Sequence, residues 1–295
     1  MNKQLFYIVD VFAEEKYAGN ELAVVRRAAA LPDLMMQKIA REMNFSETTF
    51  ILKDEESRGG FDVRIFTPTE EVPFAGHPTL GTAFIIQHEI LQQPVNEVIL
   101  NLKIGPIPVT FTYRGQEPDI LWMMQVKPRF GKTLDARQVA AALGLETTDI
   151  EKRCPIQEVS TGLPFIIVPL KTLEAVKRSQ IYQEKELELV KDLQAKAILV
   201  FCPETYSSQN DLNVRVFAGL YGVPEDPATG SANGCLAGYL VKNRYFDSPA
   251  INIRVEQGYE IGRPSLLLLN AEDNGGEINV FVGGRVILVA KGELV

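Results

Sequence analysis

The chain repeats itself. Val63-Arg64-Ile65-Phe66 recurs as Val214-Arg215-Val216-Phe217, 151 positions later (214 less 63). At the same offset Val72-Pro73 falls on Val223-Pro224, and Phe50 falls on Phe201, each ending an apolar strand-like run. Gly19 in "AGNELAVV" and Gly162 in "STGLPFIIV" make a third, looser correspondence. Two motifs that agree at one offset, in matching context, point to a duplicated unit. The expected division is two homologous halves, 1–117 and 118–295, meeting at the turn "RGQEP". The last strand, about 284–295, is a candidate for packing with the first half.

Within each half the pattern is strand-rich. "QLFYIVDVF", "LAVVR", "TTFIL", "FDVRIFT", "NEVILNL" and "PIPVTFTY" are enriched in β-branched and aromatic residues and separated by short turn signals. "FIIVPL", "AILVFCPE" and "LNVRVFAGL" repeat the style later. Leu31–Asn44 has helical spacing, as do "TLEAVKRSQ" and "EKELELVKDLQAK". After each Val-Pro turn comes a segment apolar on all sides, "PTLGTAFIIQHEIL" and "SANGCLAGYLV". A helix of that kind must be buried all round. Gly81, Gly234 and Gly238 each cost such a helix about 1 kcal/mol against alanine, which implies close approach of surrounding backbone. The expected fold is α+β: two barrel-like halves, each a curved, mostly antiparallel sheet around a central helix. The helices should start near Pro78 and Ser231.

Length and composition agree. The 295 residues suit two domains, and 46% hydrophobic residues supply a core. A net charge of −8 argues against nucleic acid or an anionic membrane as partner. No apolar run approaches the ~20 residues that span a bilayer, and the N-terminal stretch reads as a first strand rather than a signal peptide. Cys154, Cys202 and Cys235 are widely spaced and odd in number, which fits neither a disulfide framework nor a zinc site. A reducing cytoplasm, with no metal, is the simplest expectation.

"DVFAEEKYAGNELAVV", "NFSETTFI", "RIFTPTEEVPFAGHPTLGTAF" and "EDPATGSANGCLAGYL" resemble, in order along nearly the whole chain, the signatures of the phenazine-biosynthesis isomerase (PhzF-like) family. That family shares the two-barrel fold of diaminopimelate epimerase. The resemblance implies halves that close over a cleft, each contributing the N-terminus of its central helix. It implies a cofactor-free isomerase that moves a double bond by proton transfer, commonly as a homodimer. The acid/base glutamate matches Glu47, and the supporting histidine, aspartate and serine match His77, Asp226 and Ser231.

Read locally, these residues leave alternatives open. "SET" is an ordinary turn whose Glu47 could be a cap or a strand-edge residue. It also lies between Phe45 and Phe50, and apolar surroundings make a carboxyl a usable acid or base near neutral pH. His77 precedes Pro78 at a helix start, where the dipole opposes a positive ring; otherwise it is a structural histidine. Asp226 could be a plain helix cap, or a carboxylate held at the mouth of the second helix with Thr229 and Ser231 beside it. Gly76, Thr79, Gly230 and Ser231 can present backbone N–H groups to a small carboxylate substrate. A phosphate loop is a weaker reading, since neither stretch carries the lysine of a P-loop. Neither helix mouth holds a cysteine, which argues against a two-thiol racemase. Two other functions stay open: an epimerase with non-cysteine bases, and a non-catalytic binder of small acids.

Overall fold

The computed structural model describes residues 4–295. They form two compact units. The first comprises the residues up to Met123 together with Gly283–Val295. Its strands are β1 (Gln4–Val11), β2 (Asn20–Arg26), β3 (Thr48–Ile51), β4 (Phe61–Phe66), β5 (Glu71–Val72), β6 (Glu97–Leu102), β7 (Gly105–Arg114), β8 (Glu117–Met124) and, at the chain end, β18 (Val286–Leu294). Its helices are α1 (Asp33–Met43) and α2 (Gly76–Ile85). The second unit is Met124–Val282. It holds β9 (Arg129–Thr133), β10 (Gln157–Ser160), β11 (Pro164–Pro169), β12 (Ile198–Cys202), β13 (Leu212–Ala218), β14 (Val223–Asp226), β15 (Ala250–Gln257) and β16 (Ser265–Asp273), and the chain leaves it along β17 (Ile278–Gly284). Its helices are α3 (Ala136–Leu143), α4 (Leu173–Arg178), α5 (Gln183–Val190) and α6 (Gly230–Lys242).

The same sheet is built twice. In the first unit the strands pair in the order β18–β1–β2–β3–β4–β6–β7–β8, with β5 beside β4. In the second the order is β9–β10–β11–β12–β13–β15–β16, with β14 beside β13. Both are antiparallel except at two places each: β2/β3 and β4/β6, then β11/β12 and β13/β15. Parallel neighbours need a crossover. One crossover in each unit lies outside the sheet, as α1 or as α4 with α5. The other is the central helix. α2 packs against β1, β2, β3, β6, β7 and β18, and α6 against β10, β11, β15 and β16, so each sheet curves around its helix.

Every residue of α2 is buried, as is all of α6 from Ala232 to Val241. The glycines are needed because side chains, rather than backbone, press on these helices. A Cβ on Gly81 would lie 2.6 Å from Leu22 Cδ2, and one on Gly238 would lie 2.8 Å from Pro128 Cβ.

Strand register refines the repeat. Asp62 faces Asn101 and Asn213 faces Glu256, so β4 and β13 keep the offset of 151. In the first pair Asn101 Nδ2 donates to Asp62 at 3.1 Å; in the second Asn213 Nδ2 donates to Glu256 at 3.3 Å, with acid and amide exchanged between strands. Val25 pairs with Phe50 and Val168 with Val200, which supports the looser match of Gly19 to Gly162. Phe50, however, corresponds to Val200 and not to Phe201. Phe50 pairs with Arg64 and Val200 with Arg215, because the second β-β connection is one residue longer. Packing agrees. Val25, Phe50 and Phe66 share one outer cluster, Val168, Val200 and Phe217 share another, and Phe201 turns inward to meet Tyr239 of α6 edge-on.

The repeated arginine has the same job twice. Arg64 grips Glu71 through two hydrogen bonds of 2.9 Å and lies over Phe66. Arg215 grips Glu225 at 2.9 and 2.7 Å, lies over Phe217, and also donates to the carbonyls of Val176, Lys177 and Ser179 at the end of α4. Each clamp ties the short strand before the central helix to the sheet. The Arg64 side chain is 25% exposed and that of Arg215 only 9%. Removing one partner of a buried pair costs about 3–5 kcal/mol, so Arg215→Ala should destabilise its unit by that amount and Arg64→Ala by clearly less. Urea unfolding combined with residue-resolved hydrogen exchange checks both; equal losses would contradict the burial difference.

Candidate active site

In the first unit, α1 ends at Asn44, whose left-handed backbone (φ 55°) lets its N–H close on the Ala40 carbonyl. Phe45 and Ser46 then lead directly to Glu47, at the entry to β3. On the next residues β3 is pinned to α2: Thr82 Oγ1 lies 2.8 Å from Thr49 Oγ1, both fully buried. This tie fixes the approach of Glu47 to the start of α2, where His77 is the second residue. Glu47 Oε2 lies 3.4 Å from His77 Nε2.

The ring is buried, and burial pushes its pKa down to about 3. It is therefore neutral near pH 7, and its contact with Glu47 is not an ion pair. The sequence pointed to a neutral ring through the helix dipole; the main cause is desolvation. The ring donates to the backbone carbonyl of Glu21 on β2. Nε2 has no hydrogen-bond partner among the described residues, so the donor is Nδ1–H. That leaves Nε2 without a proton, 3.4 Å from Glu47 Oε2.

An α-helix leaves its first-turn N–H groups without intrahelical acceptors. In α2 these belong to Gly76 and His77, since Pro78 has none. Thr79 does not contribute as the sequence suggested: its N–H and its hydroxyl both go to the Ala75 carbonyl, at 3.3 and 2.7 Å. In the second unit the corresponding groups are those of Gly230, Ser231 and Ala232, before Asn233 N–H closes on the Thr229 carbonyl at 3.0 Å. Asp226 ends β14 at this second mouth, buried, and the Thr229 hydroxyl donates to its Oδ2. The structure thus brings Glu47 and His77 together in one unit, and places Asp226, Gly230 and Ser231 together in the other. Sequence reasoning missed Glu21, which acts through its backbone, and Gln257, whose side chain reaches the Asp226–Thr229 turn.

The cysteines are poor candidates for proton transfer, which requires a thiolate. Burial pushes the Cys235 thiol up to about 11 and that of Cys202 to about 12, and raises Cys154 as well. Among the described residues, no group of three or more His, Cys, Asp or Glu could hold a metal ion, and no helix is long and apolar enough to cross a membrane. An open groove of about 410 Å³ in the first unit includes Arg58, Arg64 and Lys103, but each is already paired, with Asp62, with Glu71 and Asp33, and with Glu71.

Comparison with known proteins gives one answer. The family model described as phenazine biosynthesis-like protein matches residues 9–292. A trans-2,3-dihydro-3-hydroxyanthranilate isomerase of Pseudomonas aeruginosa is 33% identical, covering 97% of this chain and 98% of its own. An uncharacterised isomerase of Pasteurella multocida is 37% identical, covering 98% and 93%. A solved PhzF-family phenazine biosynthesis protein of Bacillus anthracis matches over the full length of both chains with a TM-score of 0.91 at 27% identity.

Two outcomes follow from the burial of these groups. Native His77 stays neutral down to about pH 3, whereas the unfolded ring protonates below its ordinary value of 6.5. Its contribution to stability is complete above pH 6.5 and is lost as the pH falls toward 3, at about 1.4 kcal/mol per unit. Nitrogen-15 NMR should show an Nδ1–H tautomer with no titration between about pH 8 and 5, and His77→Asn should flatten the acid side of the stability curve. Separately, iodoacetamide at neutral pH should leave all three cysteines unmodified in the folded chain; rapid labelling of Cys235 would contradict its burial.

Proposed function

The chain belongs to the phenazine biosynthesis-like (PhzC-PhzF) family and is an isomerase of the PhzF type, and from that premise we propose that it shifts a double bond by proton transfer on a small cyclic or unsaturated carboxylic acid, without a cofactor. Glu47 is the proton carrier. The observation that supports this is the neutral His77 ring, with its Nδ1–H committed to Glu21 and its Nε2 lone pair 3.4 Å from Glu47. Such a ring has no proton to give and gains one only against its burial. The mobile proton of the pair is Glu47's, and Nε2 is the acceptor that aims the carboxyl when it is protonated.

The chemistry balances with this one group. Glu47 takes a proton from one carbon of an allylic system, the electron pair spreads over the unit, and the same carboxyl returns the proton at the far carbon. One C–H bond breaks, one forms, and the double bond moves between them. Nothing is oxidised or reduced and no proton is gained overall. In this reading the first-turn N–H groups of each helix mouth, Gly76 in the first unit and Gly230 and Ser231 in the second, are available to an anionic group, and at the second mouth Asp226 is an acceptor for the substrate. The dihydro-hydroxyanthranilate named for the Pseudomonas relative is the first compound to test.

The test is incubation with that compound, and with a panel of unsaturated acids, in heavy water, followed by proton NMR. Glu47→Gln keeps the shape of the side chain but cannot shuttle a proton, so kcat should fall by about 10²–10⁴-fold while binding changes little. Asp226→Asn should be milder. Deuterium entering Glu47→Gln reactions at the wild-type rate would remove Glu47 from the mechanism. Tight binding with neither turnover nor exchange in the wild type would make the chain an acid-binding protein, and exchange confined to the α-carbon of an amino acid would make it an epimerase.

A further inference from the structure

The mouth of α6 holds a side chain that none of the sequence motifs includes. Gln257, the last residue of β15, is fully buried, and its amide uses all four of its hydrogen-bonding positions. Nε2 donates to the Asp226 carbonyl at 2.8 Å and to Thr229 Oγ1 at 3.0 Å. Oε1 accepts from the Thr229 N–H at 3.2 Å and from Asn233 Nδ2 at 2.8 Å. Two of these partners have fixed roles. A backbone carbonyl can only accept and a backbone N–H can only donate, so they determine which end of the amide is nitrogen. The Thr229 hydroxyl, receiving an N–H from Gln257, must send its own proton elsewhere, and it donates to Asp226 Oδ2. The chain of donors runs one way, from Gln257 through Thr229 to Asp226.

The surroundings hold this arrangement in place. Asn233 Nδ2 also donates to the Thr229 carbonyl, at 3.0 Å. Gly258 follows with a left-handed backbone (φ 81°), and a Cβ there would lie 2.6 Å from the Pro227 carbonyl oxygen. The end of β15 is thus fitted against the Asp226–Thr229 turn, and a glycine is required for the fit. In the first unit the residue after Asn101 on β6 is Leu102, so the amide has no counterpart there.

We propose that Gln257 is the positioning residue for Asp226: its amide orients the Thr229 hydroxyl as a standing donor to the carboxylate, so that Asp226 serves the substrate as a fixed acceptor and not as a proton carrier. The hydrogen-bond chain stands on its own geometry; the role of Asp226 toward substrate rests on the function proposed above.

Proton NMR of the wild type should show the Thr229 hydroxyl proton in slow exchange, downfield of free hydroxyls, with Overhauser contacts to the Gln257 amide protons. Thr229→Val assigns it by removing it. Gln257→Leu, and the isosteric Gln257→Glu that replaces the donor with an acceptor, should both lose this resonance while α6 amide protection persists. With trans-2,3-dihydro-3-hydroxyanthranilate as probe, both should lower kcat, by up to about 10²-fold, with KM little changed. Persistence of the resonance in both variants overturns the proposal. If neither variant folds, the wild type decides: a freely exchanging hydroxyl, or no contact to Gln257, overturns it. Failure of the wild type to turn over the probe counts against the proposed function alone, because the NMR arm still reads the chain. A normal resonance with full turnover in Asp226→Asn overturns the positioning role while leaving the proton chemistry of Glu47 in place.

Discussion

A helix surrounded by a curved sheet has no face turned to water, so its polar groups must be satisfied at its ends. This constraint governs both units. α2 and α6 are the crossovers that the parallel pairs β4/β6 and β13/β15 require, and they run through the interior rather than over the surface. Their sides must be apolar and, where Leu22, Val11 or Pro128 press closest, must be glycine. Their first turns keep N–H groups that the helix itself cannot satisfy. A polar mouth at the start of an otherwise apolar helix is therefore a consequence of the topology. The chemistry needs only side chains placed around that mouth.

Placing them depends on the short strands that feed the helices. β5 and β14 are too short to hold themselves, with two and four residues. The arginines at 64 and 215 supply the missing hold by gripping a glutamate on each, in the two-pronged geometry that a guanidinium favours. The second clamp is the more deeply buried and also takes up carbonyls at the end of α4, so it joins the mouth to an outer crossover as well as to the sheet. Sheet, short strand and helix start then behave as one rigid piece, which suits a site where reacting groups must be held in place.

Much of this was legible because duplication leaves apolar positions in register. Val63, Phe66, Val214 and Phe217 betray the repeat because each faces a core that tolerates few other residues. The match of Phe50 to Phe201 misled because a single inserted residue in the connection is invisible until strands are paired. The arginine was visible within the repeated motif, but its partner was not: Glu71 precedes Val72-Pro73 while Glu225 follows Val223-Pro224, so no fixed offset aligns them. Glu47 and His77 are 30 positions apart (77 less 47), with no local pattern joining them, and family resemblance had to suggest the pair. Gln257 left no signal at all. Half of its bonds go to backbone atoms, and any sequence can supply those.

The two mouths have diverged in a way that bears on the reaction. Inverting a carbon requires a proton acceptor on one face and a proton donor on the other, so an epimerase profits from two equivalent mobile groups. Shifting a double bond on one face requires a single mobile proton, and a second would invite unwanted inversion. In the mechanism proposed here, the first mouth keeps the mobile group: Glu47 faces a lone pair on a ring too buried to compete for its proton. The second mouth gives its carboxylate a hydroxyl donor, that of Thr229, whose direction is dictated, through Gln257, by backbone groups that cannot reverse. In that mechanism the fold separates proton transfer from orientation by changing what surrounds each carboxylate, and the carboxylates themselves need not differ.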